Sequence, residues 1–351
     1  MKNYQSNNIL VTGGAGFIGA NFIHHILNQP NPPHIVNLDA LTYAGSLDNL
    51  KNIPTSRHYK FIQGNICNRS LVDTILHNHN IDTIIHFAAE SHVDRSITGP
   101  SEFIQTNIIG TFTLLEAARH FWLEEKHLSA QTCLFHHIST DEVFGSLENT
   151  TDPAFNEETP YAPNSPYSAS KASSDHLVRA YFHTYSLPVV TTNCSNNYGP
   201  FQHDEKFIPT VIRSCINKTP IPVYGNGSNI RDWLYVLDHC RGIVHVAQHG
   251  TRGETYNIGG NNEWTNIDIV KKICELFDKK CPWTAPHETL IKFVTDRPGH
   301  DWRYAIDSQK INKTLNWQPQ ETFETGIVKT IEFYLEKFRI SQKETVIVDN
   351  A

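Results

Sequence analysis

The chain lacks the features of membrane, secreted and nucleic-acid-binding proteins. No apolar run in its 351 residues approaches the roughly 20 residues that a membrane-spanning helix requires. The first eight residues are polar and contain no apolar core, so we expect no signal peptide. Basic residues number 29 against 36 acidic ones, and the formal net charge of −7 argues against nucleic acid or a membrane as a partner.

The sequence also lacks the residue spacings of disulfide and metal sites. Its seven cysteines are scattered, odd in number and without a Cys-x-x-Cys pair, which indicates free thiols in a reducing cytoplasm. Neighbouring histidines occur at His24-His25 and His136-His137, but neither pair has the additional cysteine or carboxylate spacing of a zinc site. We therefore expect a cytoplasmic protein that holds no metal.

The N-terminal part of the sequence predicts a strand, a glycine turn, a helix and a second strand that ends at an acid. The apolar run 9–11 leads into the glycine loop 12–19, and a helix with apolar residues at helical spacing follows over 22–27. The next apolar run, 35–38, ends at Asp39, which lies twenty residues after the last glycine of the loop. This order is typical of a dinucleotide-binding unit, whereas a plain glycine turn does not require the helix and the acid.

The glycines and the acid also favour one dinucleotide over another. Gly13, Gly16 and Gly19 let the backbone approach a pyrophosphate, and N–H groups at the start of the helix can bind it. Asp39 can accept hydrogen bonds from the ribose hydroxyls of the adenosine and would repel a 2′-phosphate. The pattern therefore predicts NAD as the cofactor and disfavours NADP.

Six predicted strands alternate with helices up to about residue 197, without internal repeats or low-complexity linkers. This alternation predicts an α/β fold with a Rossmann-like, doubly wound parallel sheet. After residue 197 the alternation loosens, which indicates a smaller mixed α/β C-terminal lobe. We assign 1–197 to NAD binding and 198–351 to substrate binding, and expect about 228–260 to return to the first domain. The predicted strands are 9–11, 35–38, 59–63, 83–89, 132–138 and 187–194.

One long predicted helix, about 101–122, carries two apolar stripes. One stripe should pack on the sheet, and the other needs a second partner. A subunit interface and a second buried face within one chain both fit this pattern; the first would make the protein a homodimer. The stripes are Ile108, Phe112, Leu115 and Trp122, and then Leu114, Ala118 and Phe121.

A hydroxyl and two carboxylates lie where the fifth predicted strand leaves the sheet, at Thr140, Asp141 and Glu142. The carboxyl ends of strands bind ligands in open parallel sheets. Neighbouring strand residues point to opposite faces, so the two acids can share a site only if the chain turns there. On composition alone, two solvated acids in a surface loop would fit equally well.

A tyrosine and a lysine follow at helical spacing. Tyr167 and Lys171 are four residues apart and share one helix face. A lysine ammonium stabilises a nearby phenolate and lowers the pKa of the tyrosine, which otherwise is a poor base at neutral pH. Such a pair can take a proton from a substrate hydroxyl, although Tyr-x-x-x-Lys alone also occurs as an exposed polar pair.

These motifs together resemble a known family. From about residue 9 to about residue 331 the sequence is similar to the extended short-chain dehydrogenase/reductases and, within them, to the nucleotide-sugar 4,6-dehydratases. Sugar epimerases of the same superfamily share the glycine loop and the Tyr/Lys pair but generally lack the adjacent Asp-Glu. The motifs are TGGAGFIG at 12–19, AAESHVDRSI at 88–97, STDEV at 139–143, YSASK at 167–171, NCSNNYGP at 193–200, RDW at 231–233 and DRPGH at 296–300.

The resemblance implies a mechanism and a substrate, dTDP-glucose, although the residues leave dTDP and UDP equally open. Tyr167 with Lys171 would deprotonate the 4-hydroxyl while NAD oxidises C4. Glu142 would then remove the C5 proton and Asp141 would protonate the leaving 6-hydroxyl, which requires two acids with separated pKa values. Thr140 would hydrogen-bond the C4 oxygen. A nucleotide-sugar 4-epimerase and a catalytically silent NAD sensor remain the alternatives.

The resemblance also implies two sets of binding residues. The residues implied for NAD are Gly13, Gly16, Phe17, Ile18, Gly19, Asp39, Leu41, Thr42, Asn65, Ile66, Ala88, Ser91, Thr106, Tyr167, Lys171 and Asn197. Those implied for the sugar nucleotide are Ser91, Thr140, Asn196, Lys206, Phe207, Pro222, Tyr224, Arg231, Asn266, Arg297 and His300. The chain departs from the family pattern at Asn65, usually Asp, and at Phe144, usually Tyr; the first change predicts altered NAD binding.

Overall fold

The first domain is built on one parallel sheet. A computed structural model describes residues 4–53, 57–296 and 300–348. Seven strands form the sheet in the order β10-β6-β5-β4-β1-β2-β3, with every pairing parallel. The strands of the chain are β1 (Asn8–Thr12), β2 (His34–Asp39), β3 (Tyr59–Gln63), β4 (Thr83–His86), β5 (Leu134–Thr140), β6 (Val189–Cys194), β7 (Asn196–Tyr198), β8 (Ile221–Tyr224), β9 (Ile230–Tyr235), β10 (Thr255–Ile258), β11 (Glu263–Thr265), β12 (Ile291–Val294) and β13 (Arg303–Tyr304).

Helices cover both faces of this sheet, so its central strands are buried on both sides, including polar residues such as His136 and His137. In β1, Ile9, Leu10 and Val11 are all buried, as expected for a strand with helices above and below it. The predicted doubly wound sheet is thus confirmed. The α-helices are α1 (Phe17–Leu27), α2 (Arg69–Asn78), α3 (Val93–Thr98), α4 (Ser101–Phe103), α5 (Thr111–Ala118), α6 (Pro166–Tyr185), α7 (Phe207–Asn217), α8 (Val236–His249), α9 (Asn266–Lys280), α10 (Gln309–Leu315) and α11 (Phe323–Val348).

The long helix predicted at about 101–122 is a helical run with two wider segments. Ile104–Gly110 and Arg119–Glu125 are π-helical and flank α5. The extra residue in each wide turn shifts the helical register, so the two predicted stripes do not separate. Leu115 and Trp122 of the first stripe are buried together with the second stripe, whereas Phe112 is 44% exposed.

A smaller lobe follows β6. One residue after β6 ends, β7 pairs with β9 in a second sheet, whose path is β11-β9-β13. A separate parallel pair joins β8 and β12. Helices α7, α9 and α11 contribute to the core of this lobe through Ile212, Phe277 and Ile331, which pack with Trp233 of β9. The mixed C-terminal lobe predicted from the sequence is therefore present.

Part of the later chain returns to the first sheet. Helix α8 packs against α1, and β10 extends the sheet beside β6 with Asn257 opposite Asn193. Strand β9, at the start of the segment expected to return, lies instead in the second sheet. Among the described helices, none combines the length and the apolar character needed to span a membrane.

Candidate active site

A cleft of about 320 Å³ opens at the carboxyl ends of the first-sheet strands. Loops after β1 to β6 and the start of α6 line it, which is where ligands bind in open α/β sheets. The predicted residues that line the cleft are Gly13, Gly16, Phe17, Ile18, Gly19, Asp39, Thr42, Asn65, Ile66, Ala88, Ser91, Thr106, Thr140, Asp141, Glu142, Tyr167, Lys171, Asn196, Asn197 and Lys206.

The glycine loop has room only for glycine at its critical positions. Gly13 has a φ of +72°, and a Cβ there would lie 2.6 Å from the backbone nitrogen of Ala88. A Cβ on Gly19 would lie 2.4 Å from the carbonyl oxygen of Gly13. Helix α1 begins directly after Gly16 without a side-chain cap, so its first turn presents backbone N–H groups to the cleft. These features fit a bound pyrophosphate.

Asp39 holds the glycine loop as well as facing the cleft. Its two carboxylate oxygens accept hydrogen bonds from the backbone N–H groups of Ala15 and Leu41, each at 2.8 Å. Burial raises the pKa of Asp39, and these two hydrogen bonds oppose the increase. Each oxygen retains a second acceptor position for a ribose hydroxyl. Leu41 lies outside the lining of the cleft; its backbone N–H, at a φ of 53°, donates to Asp39.

Asn65 lies after β3 and has a local hydrogen-bond partner. Its side-chain oxygen accepts a hydrogen bond from the backbone N–H of Cys67 at 2.8 Å. The amide therefore forms a side-chain turn at the cleft edge. Phe144, the other departure from the family pattern, stacks on Phe155 and meets Tyr161 edge-on, so an apolar cluster occupies its surroundings.

The two acids share the cleft because the chain turns immediately after β5. Asp141–Phe144 form a 3₁₀ turn, and the Thr140 hydroxyl accepts a hydrogen bond from the Glu142 N–H at 3.3 Å. The Asn193 side chain donates to the Thr140 carbonyl at 3.0 Å and fixes the end of the strand. In a straight strand the two neighbouring acids would point to opposite faces of the sheet; the turn lets both face the same cleft.

The surroundings of Asp141 favour its protonated form. It is 2% exposed, and burial raises its pKa well above the ordinary value, with the Glu142 and Asp232 carboxylates adding to the increase. The Arg231 guanidinium opposes this shift. One oxygen of Asp141 is buried and has no hydrogen-bond partner within the described part of the chain. A protonated carboxyl there can donate to a ligand in the cleft.

Tyr167 and Lys171 are positioned by the first turns of α6. Ser165 and Ser168 form a reciprocal capping box at its start, which fixes the direction of the helix. Both functional side chains are buried, and the Lys171 ammonium donates to the Ile138 carbonyl at 2.8 Å. The tyrosine ring meets Phe103 edge-on.

The net shift of the Tyr167 pKa is opposite to the one expected from the lysine spacing. Burial raises the pKa well above 10, and the Glu142 and Cys194 groups add to it, while a hydrogen bond with Thr140 opposes it. The pKa of Lys171 is lowered, mainly by burial. Sequence spacing shows which side chains are neighbours but not how far both are removed from water.

The remaining predicted substrate residues lie outside the lining of this cleft, and Arg297 lies outside the described residues. Arg231 is buried, donates to the carbonyls of Ile230 and Asp301, and lies 4.3 Å from the Tyr304 ring centroid. Its guanidinium charge opposes the increase in the Asp141 pKa. The cleft lining does not include Phe207, Pro222, Tyr224, Arg231, Asn266 or His300.

Several of these residues form a second group in the smaller lobe. Tyr224 and His300 meet edge-on at 6.2 Å, and His300 Nδ1 lies 2.6 Å from an Asp296 oxygen. Asn266 is the first residue of α9, but the side chain that caps the helix is that of Thr265. At the boundary between the two groups, Lys206 donates to the Ser91 carbonyl at 3.1 Å.

Sequence reasoning missed the residue that joins two walls of the cleft. Asn107 accepts a hydrogen bond from the Glu90 N–H at 2.9 Å and donates to the Glu90 carbonyl and to the Ser170 hydroxyl. It thereby ties the loop after β4 to α6. A buried asparagine inside an apolar helix pattern is the signal that could have identified it. Within the described residues, no group of three or more histidine, cysteine or acidic side chains could hold a metal ion.

The fold and the site define a dinucleotide-dependent enzyme with a Tyr/Lys pair and a pair of acids. The family model described as GDP-mannose 4,6 dehydratase matches residues 10–330. A dTDP-glucose 4,6-dehydratase from Escherichia coli is 54% identical over 338 residues, covering 93% of each chain. One from Neisseria gonorrhoeae is 53% identical and covers 96% of this chain and 98% of its own.

Solved structures support the same assignment. A dTDP-glucose 4,6-dehydratase from Bacillus anthracis, in complex with NAD, superposes with a TM-score of 0.83 at 44% identity, covering 94% of this chain and 97% of its own. One from Streptomyces venezuelae gives a TM-score of 0.84 at 41% identity, with the same coverage. The chain belongs to the nucleotide-sugar 4,6-dehydratases of the extended short-chain dehydrogenase/reductase family.

Proposed function

We propose that the protein is an NAD-dependent lyase that converts dTDP-glucose to dTDP-4-keto-6-deoxyglucose and water. The observation that carries this proposal is the turn after β5, which directs Asp141 and Glu142 into the cleft that Tyr167 and Lys171 also line. The names of the relatives support the substrate, and the Streptomyces venezuelae structure was solved with NAD and dTDP bound.

The chemistry of the residues that line the cleft supports NAD as the cofactor. The backbone of the glycine loop would surround the pyrophosphate, Asp39 would accept from the adenosine ribose, and Asn65 and Ile66 would contact the adenine. NAD bound there supplies the transient oxidation of the sugar at C4 and the final reduction at C6. The acid at position 39 disfavours a 2′-phosphate through charge repulsion, which supports NAD over NADP.

Tyr167 starts the reaction by taking the proton of the 4-hydroxyl. Its burial opposes ionisation, so the phenolate requires nearby positive charge and hydrogen-bond donors. We assign the positive charge to Lys171, which lines the same cleft, and the Thr140 hydroxyl supplies a hydrogen bond that opposes the increase in the Tyr167 pKa. Both side chains line the cleft beside the tyrosine, so no long-range rearrangement is required.

The acid pair then removes water. The 4-keto group makes the C5 proton acidic, Glu142 takes that proton, and Asp141 gives its proton to the departing 6-hydroxyl. Asp141 is suited to the role of acid because burial and the Glu142 charge raise its pKa and so favour the protonated form. A cleft with only one carboxylate would lack one of these two proton carriers.

The second lobe is proposed to hold the nucleotide end of the substrate. Lys206 at the cleft edge and Arg231 beside the acids provide positive charge for the diphosphate. The exposed Tyr224 ring offers a surface on which a thymine could stack. In this division of the chain, 1–197 together with α8 and β10 holds NAD, and the rest of 198–351 holds the sugar nucleotide. The remaining proposed contacts are Ser91, Asn196, Phe207, Pro222, Asn266, Arg297 and His300.

The direct test is turnover of sugar nucleotides by the purified protein. We expect dTDP-glucose to yield a 4-keto-6-deoxy sugar with its characteristic absorbance in alkali, with UDP-glucose and GDP-mannose assayed in parallel. Formation of a 4-epimer without loss of water would instead identify an epimerase, a class that shares this fold. Bound NAD without turnover of any sugar nucleotide would contradict catalysis altogether.

We further propose a cytoplasmic homodimer. All seven cysteines are free thiols, as expected in a reducing compartment. The helical run around α5 exposes Ile104, Ile109 and Phe112, each by more than two fifths of its surface. Exposed apolar side chains on one helix favour a subunit interface.

A further inference from the structure

A buried carboxylate next to Lys171 has no role in the proposed reaction. Asp175 lies one turn after Lys171 on α6 and is 5% exposed. It accepts hydrogen bonds from the hydroxyls of Ser139 at 2.7 Å and Tyr161 at 3.0 Å, and lies 3.0 Å from His137 Nε2. Three neighbours therefore hold this carboxylate beneath the end of β5.

Burial favours the uncharged forms of the other titratable groups near Asp175, so Lys171 is the positive group on which its charge acts. Burial lowers the pKa of His137 to about 4, so this histidine is neutral at pH 7. His86 on β4 has a pKa lowered well below its ordinary value, and burial raises the pKa values of Cys194 and Tyr161, so these three groups are also uncharged. Burial lowers the pKa of Lys171, and the Asp175 charge, followed by Cys194, opposes this decrease.

Lys171 and Asp175 also hold the same strand segment. The Lys171 ammonium donates to the Ile138 carbonyl, and Asp175 accepts from the next residue, Ser139. The following residue is Thr140, from which the turn of the two acids begins. Displacing this segment would therefore move the acids relative to Tyr167.

We propose that Asp175 is a positioning residue, whose charge keeps Lys171 in its ammonium form and whose hydrogen bonds hold the end of β5 against α6. The proposal rests on the proposed function, because the ammonium is needed to stabilise the Tyr167 phenolate. Asp175 does not line the cleft, so it acts on the substrate only through Lys171 and Thr140.

The first test is the pH profile of kcat in Asp175→Asn holoenzyme. Without the carboxylate, Lys171 should lose its proton at lower pH, so the descending alkaline limb should shift to lower pH by about one unit or more, with KM unchanged. Asp175→Glu should restore the limb. Tyr161→Phe removes one hydrogen bond to the same carboxylate without removing charge, and should leave the limb in place. An unshifted limb in Asp175→Asn, or an equal shift in Tyr161→Phe, would overturn the proposal.

The second test does not depend on turnover. Thermal unfolding is compared for Lys171→Met, Asp175→Asn and the double variant, because a buried charge that loses its neighbouring opposite charge costs more than the loss of both charges. We expect the double variant to melt above the Asp175→Asn protein. Additive losses would contradict the charge pairing. If Asp175→Asn does not fold, a double variant that does fold supports the charge pairing, and a double variant that also fails to fold rejects it. Lack of product from the wild-type protein would reject the proposed function but not this pairing.

Discussion

At the scale of single residues, the acid pair shows how two adjacent carboxylates acquire different tasks. Asp141 is buried with an oxygen that has no partner among the described residues, whereas Glu142 is only partly buried at the cleft. Burial of the first and the charge of the second favour a proton on Asp141. Environment therefore separates the two groups, even though their chemistry is nearly the same.

Asp141→Asn should stabilise the protein and abolish dehydration. The folded protein holds the Asp141 proton more tightly than the unfolded chain, so wild-type stability falls as pH rises from the ordinary aspartate range through the raised pKa. The variant lacks this loss and should gain about 0.5–2 kcal/mol at neutral pH. Thermal unfolding as a function of pH checks this, and the gain should vanish below about pH 4.

The matched control is Asp152→Asn. Hydrogen bonds from the backbone N–H groups of Asn149 and Glu148 lower the pKa of this loop acid, so its removal should give no gain in melting temperature at neutral pH. Equal gains in both variants would mean that lost negative charge in general, and not burial of Asp141, causes the effect.

Glu142→Gln should separate oxidation from elimination. The amide cannot take the C5 proton, but Tyr167 and Lys171 remain, so reduced nicotinamide should accumulate while product formation falls by about 10²–10⁴-fold. Absorbance of the reduced cofactor and solvent deuterium exchange at C5 are the measurements. Glu148→Gln, an exposed glutamate six residues later, is the control and should behave as the wild type. Dehydration at the wild-type rate would remove Glu142 from its proposed role.

At the scale of elements, the connection from β1 to α1 depends on backbone contact. The glycine loop folds so closely on itself that a side chain at position 19 would meet backbone atoms at 2.4 and 2.8 Å. In the helical run 101–125, by contrast, the geometry of the turns is what matters: its π-helical turns change which residues face outward.

Gly19→Ala should reduce bound NAD. Alanine normally favours a helix over glycine by about 1 kcal/mol, so a simple helix position would be stabilised by this change. Here the added methyl group must displace the Gly13 carbonyl, and we expect NAD affinity to fall at least about tenfold. NAD content after dialysis gives the answer. Gly99→Ala, whose Cβ would lie 3.8 Å from its nearest neighbour, should retain NAD; equal NAD content in both variants would contradict this account.

At the scale of the whole molecule, the chain crosses between its lobes and comes back. Strands β6 and β7 are separated by one residue but belong to different sheets, and α8 with β10 then returns to the first. This crossing brings Arg231 of β9 close enough to influence Asp141 of the first domain. The exposed apolar side chains near α5 are the second feature at this scale.

Phe112→Arg should convert the proposed dimer to a monomer. A charged side chain in the centre of an apolar interface must lose its hydration without a partner. Light scattering should give about twice the chain mass of 39.9 kDa for the wild type and the single-chain mass for the variant. Phe293→Arg alters a more exposed aromatic residue on β12 and should leave the mass unchanged. A wild-type monomer would reject the interface.

Much of the fold and site could be predicted from the sequence because the relevant signals are local. The apolar run of β1, the glycine loop and Asp39 lie within about thirty residues and occur in fixed order. The period of apolar residues gave the order of strands and helices up to residue 197. The spacing of Tyr167 and Lys171 likewise placed both side chains on one helix face.

The sequence by itself determined which elements form and which chemical groups lie at the strand ends, because these depend on neighbours along the chain. Only the tertiary structure decided that the acids turn into one cleft, that burial raises the pKa values of Asp141 and Tyr167, and that Asp175 is hydrogen-bonded to Ser139 at the end of β5. The physical reason is that burial and charge depend on contacts between residues far apart in sequence, such as Asn193 with Thr140.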